Sequence, residues 1–277
     1  MTGSFAMIVR SLRSLAVLGF AACLVAAAGC GKSNPTSPQS PASQQNADDA
    51  AQQVAMTMSQ GGGGASPAHA FPDAGHATAG RSAGAFGGAS VAASETTYAV
   101  GGITWTLTRS WYDAGGNVQA DYNPLTTVQM LASARALGVI ETATDTANFA
   151  AAGNLDVRGI SVLQDTVVTN AARHDTLLAV FTPPFRPVRV HVYSECAATW
   201  ADVAHLKPVD VNPWPLSGTA TWTMHVSRLR SGERGDVAST FDAIVIVVFN
   251  GTRYPDVTVN GAYRYHFDLA TGAVTRR

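Results

Sequence analysis

Four side chains close together in the chain could do chemistry: His191, Glu195, Cys196 and His205. Imidazole, carboxylate and thiolate are common ligands of transition metals, and a thiol with an imidazole is a common nucleophile–base pair. Spacing argues against both uses. On an extended chain His191 and Glu195 share a face but stand about 13 Å apart. One ion could join them only if the following segment folded back. No Cys/His signature surrounds Cys196, and a lone cysteine packs as a small apolar group. A second set, His69, Asp73 and His76, lies in a stretch too poor in apolar residues to hold ligands in place. His225, His266, Asp242 and Asp268 read as solvated or cross-strand-paired groups. There is no G-x-S-x-G, no phosphate loop with lysine, no H-E-x-x-H and no paired C-x-x-C. The sequence therefore assigns no catalytic residue, no metal site and no cofactor.

The elements that carry these residues are strands. From about residue 97 to 277 the hydrophobic pattern has a period of two. Ile103, Trp105, Leu107 and Trp111 fall on one face, with threonines between them and Arg109 interrupting. Asp113 to Asn117 is a turn cluster, and Val118 to Tyr122 is the returning strand. Residues 126–140 favour helix by composition, but short spacing to their neighbours makes them a strand. Leu155 to Leu163, Thr166 to Thr169, Thr176 to Phe181 and Val188 to Tyr193 are further strands, and Cys196 to Leu206 is a helical turn or loop. Asp210 to Pro215 is a loop. Ala220, Trp222, Met224 and Val226 point one way, with Thr219 to Ser227 alternating the other way. Phe241 to Phe249 is apolar on both faces, as in a strand covered on both sides. Asn250-Gly251 and Asn260-Gly261 are hairpin dipeptides. The expected fold is all-β: an antiparallel meander, as a sandwich or a curved half-barrel, with at most one or two short helices.

Residues 30–96 form a low-complexity tether rich in Gly, Ala, Ser, Gln and Pro, which cannot bury enough surface to fold alone. As a flexible coil its root-mean-square span is about 45 Å. One piece, 47–59, is a short helix with Asn46 as its cap. Ala51, Val54, Ala55 and Met58 form an apolar face that could dock on the β-domain.

The chain begins with Arg10 and Arg13, then an apolar run from Leu15 to Ala28, the layout of a secretory signal peptide. The run ends Val25-Ala26-Ala27-Ala28-Gly29-Cys30. That segment resembles the lipobox of bacterial prolipoproteins. The resemblance implies cleavage between Gly29 and Cys30, a diacylglyceryl group on the Cys30 thiol, and acylation of the new amino terminus. It covers residues 1–30 only, and the body resembles uncharacterised exported lipoproteins. The resemblance places the chain at the cell envelope, tethered to a membrane. Gly31 in place of aspartate points to the outer membrane where the cell has two. With Cys23 in the signal and Cys30 lipidated, Cys196 is the one remaining thiol, so no internal disulfide is expected.

Charge narrows the partners. Removing Arg10 and Arg13 leaves 16 basic against 19 acidic residues, a net charge of −3. No basic surplus exists to neutralise phosphates, which excludes nucleic acid on electrostatic grounds. Three functions follow as expectations. The first is a non-enzymatic binding or structural module that meets an envelope protein or polymer. The second is a carrier of lipid or another apolar ligand on a curved sheet, with Trp105, Leu107, Trp222, Met224, Tyr265 and Phe267 lining its face. The third is a hydrolase with an unfamiliar site.

Overall fold

A computed structural model describes residues 41–58, 94–100, 102–141, 146–181, 189–207, 213–231 and 235–277. The lipobox at Gly29-Cys30, the His69/Asp73/His76 set and most of the tether lie outside the described residues. So do parts of the loops at 183–184 and 210–215.

One helix is described, α1 (Pro41–Met58). It is followed by β1 (Ser94–Val100), β2 (Ile103–Asp113), β3 (Val118–Gln119), β4 (Thr127–Glu141), β5 (Thr146–Arg158) and β6 (Thr166–Phe181). Then come β7 (Arg189–Leu206), β8 (Ser217–Ser231), β9 (Val237–Val248), β10 (Asp256–Val259), β11 (Tyr263–Phe267) and β12 (Val274–Arg276). All twelve strands belong to one antiparallel sheet in the order β1-β2-β4-β5-β6-β7-β8-β9-β10-β11-β12, with β3 added beside β2. The fold is a meander, as the alternating pattern and short connections required. Residues 127–141 form a strand despite their helical composition, because Met130, Ala132, Ala134 and Ala136 all turn to the buried face.

Cross-strand register sorts the inner face into rows. One row runs Leu107, Ala134, Gly153, Arg173, Ala198, Trp222, Val245, Val259. The next runs Trp105, Ala136, Ala151, Asp175, Cys196, Met224, Ala243. Small residues on β4 and β5 face the same side as large ones on β8, so the wall alternates in depth. Buried apolar side chains form a large cluster centred on β7–β11 with α1, and a smaller one on β2 and β4–β6. Ala171 packs against both.

The helix starts earlier than the sequence implies and it docks. Proline is tolerated in a first helical turn, where its missing N–H has no intrahelical use. The helix therefore begins at Pro41, and Asn46 lies inside it rather than capping it. Ala51, Val54, Ala55 and Met58 are all buried, joined by Ala47 and Ala50. The helix packs on β9 to β12. Polar links fix its position. The Tyr265 hydroxyl donates to Asp48 at 2.7 Å, Arg276 pairs with Asp48 at 2.5 Å, and Arg228 pairs with Asp49 at 3.3 Å.

Five expectations are corrected. Thr166 to Thr169 and Thr176 to Phe181, read as separate strands, are one strand, β6. Residues 196–206 are not a helical turn but the second half of β7. Cys196, Ala198 and Trp200 face inward, and so do Val203 and His205, because an extra residue at Asp202 shifts the period by one. This β-bulge hides a strand from a period-two reading. Asp202 takes φ 50°, its amide donates to Asn170 Oδ1 at 2.8 Å, and Gly218 passes against it at φ 106°. A Cβ on Gly218 would stand 2.6 Å from the Asp202 carbonyl oxygen, so only glycine fits there.

The strand read at 155–163 stops at Arg158, and the chain turns through 159–165. The strand expected at 118–122 shortens to two residues, because Tyr122 turns in to pack on Trp111 with ring centres 5.3 Å apart. The segment 241–249 is covered on one face only. Phe241, Ala243, Val245, Val247 and Phe249 are buried, while Ile244, Ile246 and Val248 are exposed on the other side. The hairpin at Asn260-Gly261 forms as read, with both residues at positive φ.

Candidate functional site

Two faces present different chemistry. On the outer face, residues that share a register line form a surface that mixes hydroxyls, amides and a carboxylate with apolar side chains. Thr108, Ser133, Asn154, Ala172 and Thr199 form one line, and Ser110, Leu131, Asp156 and Asn170 form the next. These side chains, Thr199 excepted, line an open trough of about 580 Å³ that also takes in Tyr112. A second trough of about 550 Å³ adjoins it, sharing Ser133, Asn154 and Ala172 and adding Arg135, His174 and Thr199. The two form one shallow channel across β2 to β7.

Next to the channel lies a cluster of titratable groups. His174 Nε2 and Glu195 Oε1 are 2.9 Å apart, the Tyr193 hydroxyl donates to Glu195 Oε2 at 3.2 Å, and His225 Nδ1 lies 2.7 Å from Asp242 Oδ1. Glu195 and His225 sit directly opposite each other on β7 and β8. The hydrogen bond to His174, then that from Tyr193, holds the Glu195 carboxyl below its usual range, and Glu195 raises the Tyr193 phenol in turn. The sequence pointed to Glu195 but gave it the wrong companions. His191 lies on the same face of β7, four residues away along the strand, while Cys196 and His205 face inward. The partner His174 is on the adjoining strand, where only cross-strand register could reveal it. Among the described residues no three His, Cys, Asp or Glu groups come together in a way that could hold a metal ion.

The inner face carries the six residues read as a lining. They share one face but not one pocket. Leu107 belongs to the smaller cluster, and Trp105 packs on Phe149 with ring centres 6.4 Å apart and planes tilted by 47°. Trp222, Met224, Tyr265 and Phe267 belong to the larger cluster, where Trp222 meets Trp200 edge-on at 5.4 Å. Between the two groups stands a buried ion pair, Arg173 Nε to Asp175 Oδ1 at 2.6 Å. Burial opposes the charge on Arg173, but the Asp175 carboxylate more than offsets this and raises its pKa above the ordinary value. Burial, helped by Asp175, pushes the Cys196 thiol up to about 12. At neutral pH that sulfur is a protonated packing group rather than a nucleophile.

At the C-terminal edge, Arg253 forms a two-pronged ion pair with Asp268. That contact holds the Asp268 carboxyl down to about 2. Comparison with protein-family models, with curated proteins and with solved structures found no match.

Proposed function

We propose that the chain is a lipid-anchored protein of the cell envelope, whose β-domain is a non-catalytic binding module that meets an extended polar partner, protein or polymer. The observation that carries the binding reading is the outer-face channel. It is open and long, and its lining of Thr108, Ser110, Ser133, Asn154, Asn170 and Thr199 offers donors and acceptors without an activated nucleophile. Such a surface suits a chain laid along it better than a small molecule enclosed in it. Mid-strand Arg135, Glu195 and Asp242 on the same outer face suit water rather than acyl chains. Among the described residues no helix is long and apolar enough to cross a membrane.

Anchoring rests on the resemblance at 25–30. Cys30→Ser should move the protein from the membrane fraction to the soluble fraction, since two or more acyl chains are what make attachment stable. Unchanged sedimentation with membranes would refute the anchor. The channel has its own test. Asn154→Trp fills the strip shared by both troughs and should abolish co-purification of envelope material with the protein, leaving its thermal stability unchanged. Identical captured material for the two proteins would remove the channel as the binding surface.

A further inference from the structure

Four ionisable side chains line the outer-face channel: Arg135, Asp156, Arg173 and His174. Three of them are already paired. Asp156 takes Arg158 at 2.9 Å and the Gln129 amide at 2.7 Å. Arg173 is held by Asp175 on the inner side, and His174 by Glu195. Arg135 is the exception. Among the described residues it makes no ion pair and no side-chain hydrogen bond.

Register explains why. Arg135 is exposed in the middle of β4. Its direct partners are Thr106 on β2 and Ala152 on β5, and its diagonal neighbours are Thr104, Thr108, Ala150 and Asn154. All six are short and uncharged. An opposite charge across the strands would stabilise the arginine, and none is in place. The guanidinium stays protonated at any physiological pH. On the far side of Ala152 stands His174, its backbone about 10 Å from that of Arg135 across two strand spacings. The exposed methyl of Ala152 leaves the space between them open. The channel therefore carries one uncompensated positive charge above a small apolar floor. The planar fork of a guanidinium matches a carboxylate with two parallel hydrogen bonds.

The rest of the lining says what kind of chain carries that carboxylate. Ser133, Asn154 and Thr199 present hydroxyls and an amide on β4, β5 and β7. These strands are paired on both sides, so their backbone amides and carbonyls are spent within the sheet. A peptide laid across them would find no ladder for its own backbone, since peptides that bind sheets add at an edge. Sugar hydroxyls both donate and accept, and so pair with Ser, Thr and Asn side chains in either sense.

We propose that the channel binds an acidic polysaccharide, with one carboxylate of the chain over Ala152 on the Arg135 guanidinium and sugar hydroxyls on Ser133, Asn154 and Thr199. The inference rests on the reading of the channel as a binding surface and adds the chemistry of the partner.

The test is calorimetric titration of the full lipidated chain in detergent with three probes: tetragalacturonate, its full methyl ester, and a tetraglutamate peptide. The acid should bind roughly tenfold tighter than the ester, the worth of one charge-assisted two-pronged contact. Arg135→Gln should erase that preference without moving the thermal midpoint, because Arg135 contacts no other described side chain. Equal affinity for acid and ester, or a preference that survives Arg135→Gln, overturns the carboxylate contact and leaves the channel to its own test with Asn154→Trp. Tighter binding of tetraglutamate than of tetragalacturonate overturns the polysaccharide. Binding of none of the three overturns the inference, while capture of envelope material that depends on Asn154 would still support the channel.

Discussion

Val247→Asp should leave no soluble folded protein. Val247 is fully buried on the inner face of β9, paired with Ala220 on β8 and Val257 on β10. No cation stands in its two cross-strand positions. An unpaired carboxylate there costs several kcal/mol, on the order of the whole stability of a domain at about 5–15 kcal/mol. Exposed β-prone sequence such as Ala243 to Phe249 then aggregates. The sharp control is one residue away. Ile246 is exposed, facing Thr221 and Thr258, so Ile246→Asp should cost no more than about 1 kcal/mol. The soluble fraction on expression reads both. Equal yields would refute the one-sided burial of β9, and reversed yields would mean that its two faces are assigned the wrong way round.

Asp175→Asn should lower stability by about 3–5 kcal/mol, because it strands the Arg173 guanidinium in an apolar wall. The side chains of Arg173 and Asp175 are 18% and 11% exposed, and the residues opposite them are Gly153, Ala198, Ala151 and Cys196. None of these can take over the charge. A buried ion pair adds little net stability over a packed apolar pair, while breaking one is expensive. Replacing both residues, Arg173→Met with Asp175→Leu, should therefore recover most of the loss. Urea midpoints of the three proteins test this. A single variant within about 0.5 kcal/mol of the parent, the range of ordinary surface changes, would show that water reaches the pair.

The sheet was legible because its signal is local. Alternation marked β2, β8 and β11, and the Asn260-Gly261 dipeptide marked a turn whose two residues do take positive φ. What hid the rest was also local. The extra residue at Asp202 broke the alternation of β7 and made its second half resemble a helix. Ile244, Ile246 and Val248 made β9 look covered on both sides, since composition cannot say what lies against a face. The polar channel and the His174–Glu195 pair were out of reach for a different reason. Their members come from strands up to four positions apart in the sheet, and only register brings them into line. The helix was found because its apolar spacing is strong, although Pro41 rather than Asn46 begins it.

Almost every strand pairs with its neighbour in sequence, so the sheet can zip up progressively with little loop-closure entropy at each step. The helix is the exception. Asp48 must wait for Tyr265 and Arg276, 217 and 228 positions further along the chain. The first described element therefore completes its seat last, and a chain cut short before Tyr265 keeps the contacts with β8, β9 and β10 but loses both partners of Asp48. Docking of α1 thus joins the two ends of the described chain: the amino-terminal segment gains its full set of contacts when β11 and β12 are in place.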